Sequence, residues 1–307
     1  MQLRTGRPAL SRKTDRKRTV FIVAYLAPAA LFYLALVILP LIQAFQYSLY
    51  AWSGSSSRAT FIGLQNFEKL FHDSQFWNAL RHNVWIIFVG GFFIIAVSLG
   101  VAHLLSGKGT INRLLRGVVL FPQMMSLTIV AILWLFIYNY QSGLLNGTLV
   151  LLHLKGWRHT WLANPHYALA ALTIAFAWYA VGFYAMLFSA GLSSIPTEVS
   201  EAAALDGATG WTKFVKITWD NLWAMKRIVA VHLTITVLNI FSLIYLTENV
   251  GDPNTNVLLT YMYEKAFTDS ELGYATAVAV ANFIAAMLLS VIILKLIGRD
   301  PTEPRKA

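Results

Sequence analysis

The stretch Tyr167-Ala168-Leu169-Ala170-Ala171-Leu172-Thr173-Ile174-Ala175-Phe176-Ala177-Trp178-Tyr179-Ala180-Val181-Gly182-Phe183-Tyr184-Ala185-Met186-Leu187-Phe188-Ser189-Ala190-Gly191-Leu192 carries no Asp, Glu, Lys, Arg or His. A helix needs about 20 mostly apolar residues to cross a hydrocarbon core of roughly 30 Å, because its backbone groups must be satisfied within the segment itself. This stretch is long enough to span. Working outward, five more qualify: Val20 to Leu39, continuing past Pro40 towards Tyr47; Asn83 to Leu105; Val118 to Ile137; Ile228 to Leu246; and Tyr274 to Ile297. Lys295 sits at a segment end, where its stem can snorkel. The whole chain agrees: of 307 residues, 57% are hydrophobic and 12% charged, and the mean hydropathy is +0.58. That excludes an ordinary soluble enzyme and a disordered chain. The sequence predicts an all-α membrane protein, with one domain of six transmembrane helices over 20–297. A basic segment, 1–19, precedes it and a short tail, 298–307, follows.

Lys and Arg outnumber Asp and Glu by 24 to 14, for a net charge of +10. Such an excess would suit nucleic acid, but membrane orientation accounts for it more economically, and no nucleic-acid partner is expected. When the loops alternate between two sides, one side collects the amino-terminus, the 106–117 loop, the 192–227 loop and the carboxyl-terminus. That side holds 18 of the 24 basic residues and the other holds 6. Lys and Arg are retained on the cytoplasmic face. Both termini are therefore predicted in the cytoplasm, with 51–82, 139–166 and 247–273 as outer loops. The run Arg12-Lys13 and Arg16-Lys17-Arg18 reads as the flank of an uncleaved start-transfer helix, since the apolar stretch behind it is too long for a signal peptide. Trp52, Trp77, Trp85, Trp161 and Tyr167 fall near predicted helix ends, as rings at headgroup depth do. Ser53 to Ser57 reads as a flexible outer turn. Cys is absent, so there is no disulfide, thiolate metal site or cysteine nucleophile.

One cytoplasmic loop carries helix signals of its own. Pro196 suits a first helical turn, Glu198 and Glu201 favour the positive helix end, Ala202 to Ala204 have high propensity, and Gly207 can take the left-handed stop. A second amphipathic stretch interleaves Trp211, Phe214, Val215 and Ile217 with Lys213 and Lys216. The loop, about 193–222, reads as helix, turn, helix at the membrane surface.

The string Glu201-Ala202-Ala203, then Asp206-Gly207-Ala208, Phe214 and Ile217-Thr218, resembles the E-A-A loop of binding-protein-dependent ABC transporter permeases. More narrowly it is similar to the sugar branch, the maltose-type and glycerol-phosphate-type subunits. Further matches run from Leu26-Ala27-Pro28 through Phe61-Ile62-Gly63-Leu64, Phe121-Pro122, Gly143-Leu144-Leu145-Asn146 and Ala190-Gly191-Leu192 to Gly251-Asp252-Pro253. Two positions depart from the pattern. Trp219-Asp220 stands where such permeases usually carry a proline, so Asp220 or Asn221 is expected to cap the fifth helix instead. Glu248-Asn249-Val250 replaces the usual glycines of the outer turn.

The resemblance implies a MetI-like bundle with cytoplasmic coupling helices, in a bacterial or archaeal inner membrane. It implies three kinds of partner: a second permease, a dimer of ATP-binding cassette ATPases, and an extracytoplasmic solute-binding protein delivering a sugar or polyol. Glu201 would make an ionic contact to the ATPase, Ala202 and Ala203 would allow close approach, Asp206 would sit beside the turn and Gly207 would make it. The chain itself should bind no cofactor and catalyse nothing. Gly107-Lys108-Gly109-Thr110 lacks the order of a phosphate loop, so ATP and Mg belong to the partner ATPase.

A polyhydroxylated solute cannot cross hydrocarbon without a polar path, since each stranded hydroxyl costs several kcal/mol. His232, Thr236 and Asn239 lie at i, i+4 and i+7 on one face of the fifth helix, and Asn282 in the sixth could face them. Each could equally make only an interhelical hydrogen bond. Trp178, Tyr179 and Tyr184 could stack on sugar rings, with Trp178 the first choice. A stand-alone ion-coupled secondary transporter is the main alternative, but neither intramembrane carboxylates nor interrupted repeats are apparent. A membrane enzyme would need clustered ligands, whereas the seven His residues are dispersed.

Overall fold

The computed structural model describes residues 12–54, 59–105, 107, 109–247 and 252–298. Residues 1–11, 55–58, 106, 108, 248–251 and 299–307 lie outside these, and with them the expected turns at Ser55 to Ser57 and Glu248 to Gly251. Helix α1 runs from Arg12–Tyr33 through a π turn at Leu34–Ile38 into Leu39–Tyr47. Pro40 explains the π turn: its ring would strike the carbonyl four residues back, at Leu36, and a widened turn relieves that clash. Strands β1 (Tyr50–Ala51) and β2 (Thr60–Phe61) form a short antiparallel hairpin. Helix α2 (Gln65–His72) is tied to it by the Asn66 amide, which donates to the carbonyls of Ser48 and Tyr50 at 2.8 and 3.0 Å.

Helix α3 comprises Ser74–Trp85, a π turn at Ile86–Gly90, and Gly91–Leu104. It starts nine residues before the apolar segment does, because the Asp73 carboxylate caps it, accepting from the backbone N–H groups of Gln75 and Phe76. Helices α4 (Thr110–Met124) and α5 (Leu127–Ile137) meet at 97°. Pro122 removes an N–H from the end of α4, and the Ser126 hydroxyl then caps α5 by accepting from Ile129 N. After α6 (Leu144–Leu151) comes α7 (Ala168–Ser193), unbroken over 26 residues.

The elbow follows: α8 (Thr197–Leu205), then α9, built from Gly210–Lys213, a π turn at Phe214–Thr218, and Trp219–Asn221. Helix α10 (Trp223–Leu238) stops at Asn239 and is followed by α11 (Ser242–Thr247). Helix α12 (Leu258–Tyr263, continued by a π turn at Glu264–Thr268) leads to α13 (Leu272–Leu296).

Among the described residues the fold is nearly all helical, but six unbroken spans are not what forms. Four helices are long and apolar enough to cross a membrane: α1 from Arg18, α3, α7 and α13; the bent pair α4–α5 makes a fifth if it counts as one span. The predicted fifth span is interrupted at Asn239. The Asn239 side chain turns back to the Ile235 carbonyl at 2.8 Å, the Ile240 N–H donates to Val237 O at 3.2 Å, and neighbouring helices bond the carbonyls at the break. Asn83 of α3 donates to Val237 O at 2.9 Å and Asn282 of α13 to Leu238 O at 3.4 Å. A break inside an apolar segment survives only where other side chains re-satisfy its backbone.

The core lies where α3, α7, α10 and α13 meet, with Ile94, Phe176, Phe188, Leu233, Leu238 and Val278 buried. A Cβ added at Gly182 would sit 2.2 Å from the Val119 carbonyl oxygen, so α4 lies against the backbone of α7 there. Small residues at such crossings let membrane helices pack closely.

Candidate functional site

The elbow is assembled from its own sequence signals. Pro196 is extended, Glu198 sits in the first turn of α8, and Gly207 closes the helix with φ +74°. The Ala208 N–H donates to Ala203 O at 2.9 Å and the Gly207 N–H to Ala204 O at 3.1 Å. These are the paired bonds of a Schellman stop, in which glycine takes the left-handed conformation without strain. Of the predicted docking residues, Glu201, Ala202, Asp206 and Gly207 are exposed, whereas Ala203 is buried within the chain. Leu205 is 90% exposed beside them. An apolar side chain held that far into solvent next to a helix stop has no role in this chain's own packing, and its place before Asp206-Gly207 was the signal for it.

In α9, Trp211 stacks on Phe214 at 5.3 Å between centroids, Phe214 meets Trp219, and the Lys226 ammonium lies 4.4 Å over the Trp219 ring. The expected cap on α10 does not form. Its N-cap position is Leu222, and the Asn221 amide instead donates back to Ile217 O at 2.8 Å, closing the last turn of α9. Continuous helical backbone through Trp219–Asn221 leaves no extended residue for Asp220 or Asn221 to cap from.

The polar residues of the predicted path separate into two groups. Tyr184 Oη pairs with His232 Nδ1 at 3.2 Å, and the Thr236 hydroxyl lies 3.4 Å from the same nitrogen, so α7 and α10 bring these three together. The Thr236 hydroxyl also donates to its own helix at His232 O, 2.8 Å away. His232 and Asn239 are exposed and Thr236 is partly so, which leaves this face of α10 uncovered by the chain. Tyr179 is partly buried on α7. Asn282 is buried at the helix break, its amide spent on Leu238 O and its Oδ1 without a partner. Trp178 packs edge-on against Trp134, at 5.9 Å, and Trp134 continues through Tyr138 and Trp161 to Tyr167. This ladder is anchored at Tyr138, whose hydroxyl donates to Ala171 O, and at Trp161, whose indole donates to Asn146 Oδ1.

The family described as the binding-protein-dependent transport system inner membrane component matches residues 93–301, the region that contains α7, the elbow, α10 and α13. The chain belongs to this family. Among curated relatives, this permease is 34% identical to the probable ABC transporter permease protein YurN of Bacillus subtilis, over 88% of its own length and 94% of the relative's. It is 30% identical to the diacetylchitobiose uptake system permease protein NgcF of Streptomyces coelicolor, over 93% and 84%. It is 28% identical to the sulfoquinovosyl glycerol transport system permease protein SmoG of Agrobacterium fabrum, over 94% of each chain. In fold it is similar to a chain of a bacterial ABC transporter that imports the acidic polysaccharide alginate, with a TM-score of 0.80 at 22% identity over 94% of this chain and 99% of that one. A second structure of a bacterial alginate transporter, in complex with a pentasaccharide-bound periplasmic protein, aligns with a TM-score of 0.77 at 23% identity, over 91% and 94%.

At the other end of the permease stands a cluster that hydropathy and motifs did not reveal. The Asp73 carboxylate, besides capping α3, accepts from the hydroxyls of Tyr261 of α12 and Tyr274 of α13. Burial by itself would raise its pKa, but the two tyrosine hydroxyls and the backbone N–H groups of Gln75 and Phe76 hold it below the ordinary aspartate value. Burial, and then the carboxylate beside it, push the Tyr261 hydroxyl up, so it remains a donor. Next to this knot, His82 Nδ1 pairs with Asn256 O at 2.8 Å, and Asn83 Oδ1 accepts from Leu258 N at 2.9 Å. Asn83 thus joins the break after α10 to the first turn of α12. The partners are 154 to 201 residues apart, so spacing along the chain carried no signal.

Proposed function

We propose that this permease forms one half of the translocation pathway of an ATP-driven, binding-protein-dependent importer for a small glycoside: a disaccharide, a short oligosaccharide or a glycosylated polyol. The observation that carries the reading is the elbow of a family member: a helix that presents Glu201, Leu205 and Asp206 to solvent and ends on the left-handed Gly207. The substrate class follows from the uptake named for the relatives, a chitobiose derivative and a sulfoquinovosyl glycerol.

In this reading the elbow lies in the cytoplasm, with both termini, in accord with the distribution of Lys and Arg. It docks into a cleft of a separate ATPase, which supplies ATP and Mg chemistry that this sequence has no phosphate loop to perform. Glu201 makes a charged contact, Leu205 an apolar one, Ala202 keeps the approach close, and Ala203 seats the helix on its own chain. Closure of the ATPase dimer moves the elbow, and α7 and α10, which flank it, rock as rigid bodies. A second permease covers the open face at His232, Thr236 and Asn239 and the apolar length of α1. The solute path then runs past Thr236 and Asn239. Trp178 and Asn282 border it, and a solute-binding protein delivers to the hairpin end.

Reconstitution tests this directly. The assembled transporter with its ATPase and binding protein should take up labelled glycoside only with ATP. Glu201→Lys and Gly207→Leu should insert at normal levels yet lose ATPase docking and uptake. Full uptake by both variants, or accumulation by this permease alone without nucleotide hydrolysis, overturns the reading.

A further inference from the structure

We propose that the hollow between α3 and the elbow is a binding site for an anionic phospholipid of the inner leaflet. The hollow measures about 710 Å³ and both of its walls belong to this chain. On one side Ala96, Leu99, Gly100 and His103 recur at i, i+3, i+4 and i+7, a single face of α3. On the other, α9 turns Phe214 and Ile217 inward. Gly100 sits in the middle of the α3 wall, and a Cβ added there would meet nothing within 4 Å. No neighbour requires a glycine at this position, and glycine in a helix interior costs roughly 1 kcal/mol against alanine. What its missing side chain provides is the width of the cavity.

The lining specifies the occupant. It is mostly apolar, it includes Lys213, and no Asp or Glu contributes to it. Ser200, Lys213 and Thr218 offer polar groups at one end only, so a sugar, polar on every side, would leave hydroxyls unpaired against Leu99, Phe214 and Ile217. A molecule with a hydrocarbon body and a negatively charged end fits all three features, and the volume lies in the range of small-molecule sites. The mouth is built for the headgroup layer: Trp211 is 77% exposed at the lip, and Lys216 is exposed one turn beyond Lys213. Indole rings and basic side chains collect at that depth on a cytoplasmic face rich in anionic lipid. A lipid seated here bridges α3 and α9, so the elbow moves with the bundle rather than against it. The inference rests on the cytoplasmic placement of the elbow proposed above.

The test uses the assembled transporter in nanodiscs of phosphatidylcholine with or without phosphatidylglycerol. Native mass spectrometry of the delipidated complex should retain one phosphatidylglycerol per copy of this permease. Lys213→Gln should weaken that retention about fivefold, the ratio one lysine contributes near a charged surface. Gly100→Leu, which narrows the cavity at the α3 wall, should abolish it while the complex still assembles. Equal retention by wild type and Gly100→Leu, or cross-linking of a partner-permease segment to Leu99, overturns the proposal. Because the chain has no cysteine, Thr212→Cys labelled with a membrane-impermeant maleimide reports the side of the elbow independently. Labelling from outside the cell refutes the placement; labelling only from inside, without lipid retention, refutes the lipid site alone.

Discussion

The two ends of α3 are held in opposite ways. At Ser74 the helix begins in a knot drawn from distant parts of the chain, with Asp73, His82 and Asn83 each bonded to α12, to α13 or to the segment that leads into α12. At His103 it faces an elbow stabilised by local bonds, Ala208 to Ala203 and Asn221 to Ile217, with a cavity in between. Long-range ties brace the hairpin end, while short-range ties give the elbow a shape of its own. The coupling proposed above needs both.

The sharpest way to break this contrast is Asn83→Leu. It strands Leu258 N in a buried site, at about 1–3 kcal/mol, and leaves Val237 O with the Ile240 N–H alone. The expected result is a large loss of thermal stability in detergent and poor accumulation in the membrane, with the elbow's docking to ATPase unaffected in whatever folds. Next comes Asp73→Asn, which keeps the shape and an oxygen to cap α3 but sets an amide NH2 against the two tyrosine hydroxyls, and is expected to cost about 1–2 kcal/mol near neutral pH. Since the folded Asp73 carboxyl titrates below its unfolded value, its stabilisation is complete above about pH 4 and disappears as pH falls through the depressed pKa. The gap between wild type and Asp73→Asn in unfolding midpoint should therefore shrink on acidification; a constant gap would show that the knot does not depend on charge.

At the elbow the ordering of effects reverses. Gly207→Ala puts a Cβ on a residue at φ +74°, costing about 1–2 kcal/mol locally. It should barely shift global unfolding while cutting binding-protein-stimulated ATP hydrolysis severely. Should it unfold the protein as Asn83→Leu does, the elbow is part of the frame and the contrast fails. The smallest effect belongs to Tyr184→Phe, which loses one 3.2 Å pairing to His232, worth about 0.6 kcal/mol in a membrane bundle. Transport measured as KM against kcat then separates a structural tie from a contact with solute.

What could be read in advance divides along the same line. Helices α1, α3, α7 and α13 follow from unbroken apolar length, and the elbow follows from Pro196, Glu198 and Gly207, because caps and propensities act over a few residues. The break at Asn239 was hidden because the groups that permit it, Asn83 and Asn282, lie in other helices. The bend at Ser126 did carry local signals, Pro122 and a capping serine, but they were outweighed by the hydropathy around them. Polar spacing on α10 correctly grouped His232 and Thr236, which Tyr184 joins. For Asn282 the interhelical hydrogen bond, weighed beside a place on the path, is what forms, to Leu238 O.

Helix α1 has one more consequence. None of its most apolar window is buried, and it meets the rest of the bundle through its Leu39–Tyr47 portion, where Phe45 packs edge-on against Phe283. In the assembly proposed above, a copy synthesised without the second permease carries an unclaimed hydrophobic mast, bare to membrane proteases before Leu39. Its half-life in the cell then becomes a gauge of whether that partner has arrived.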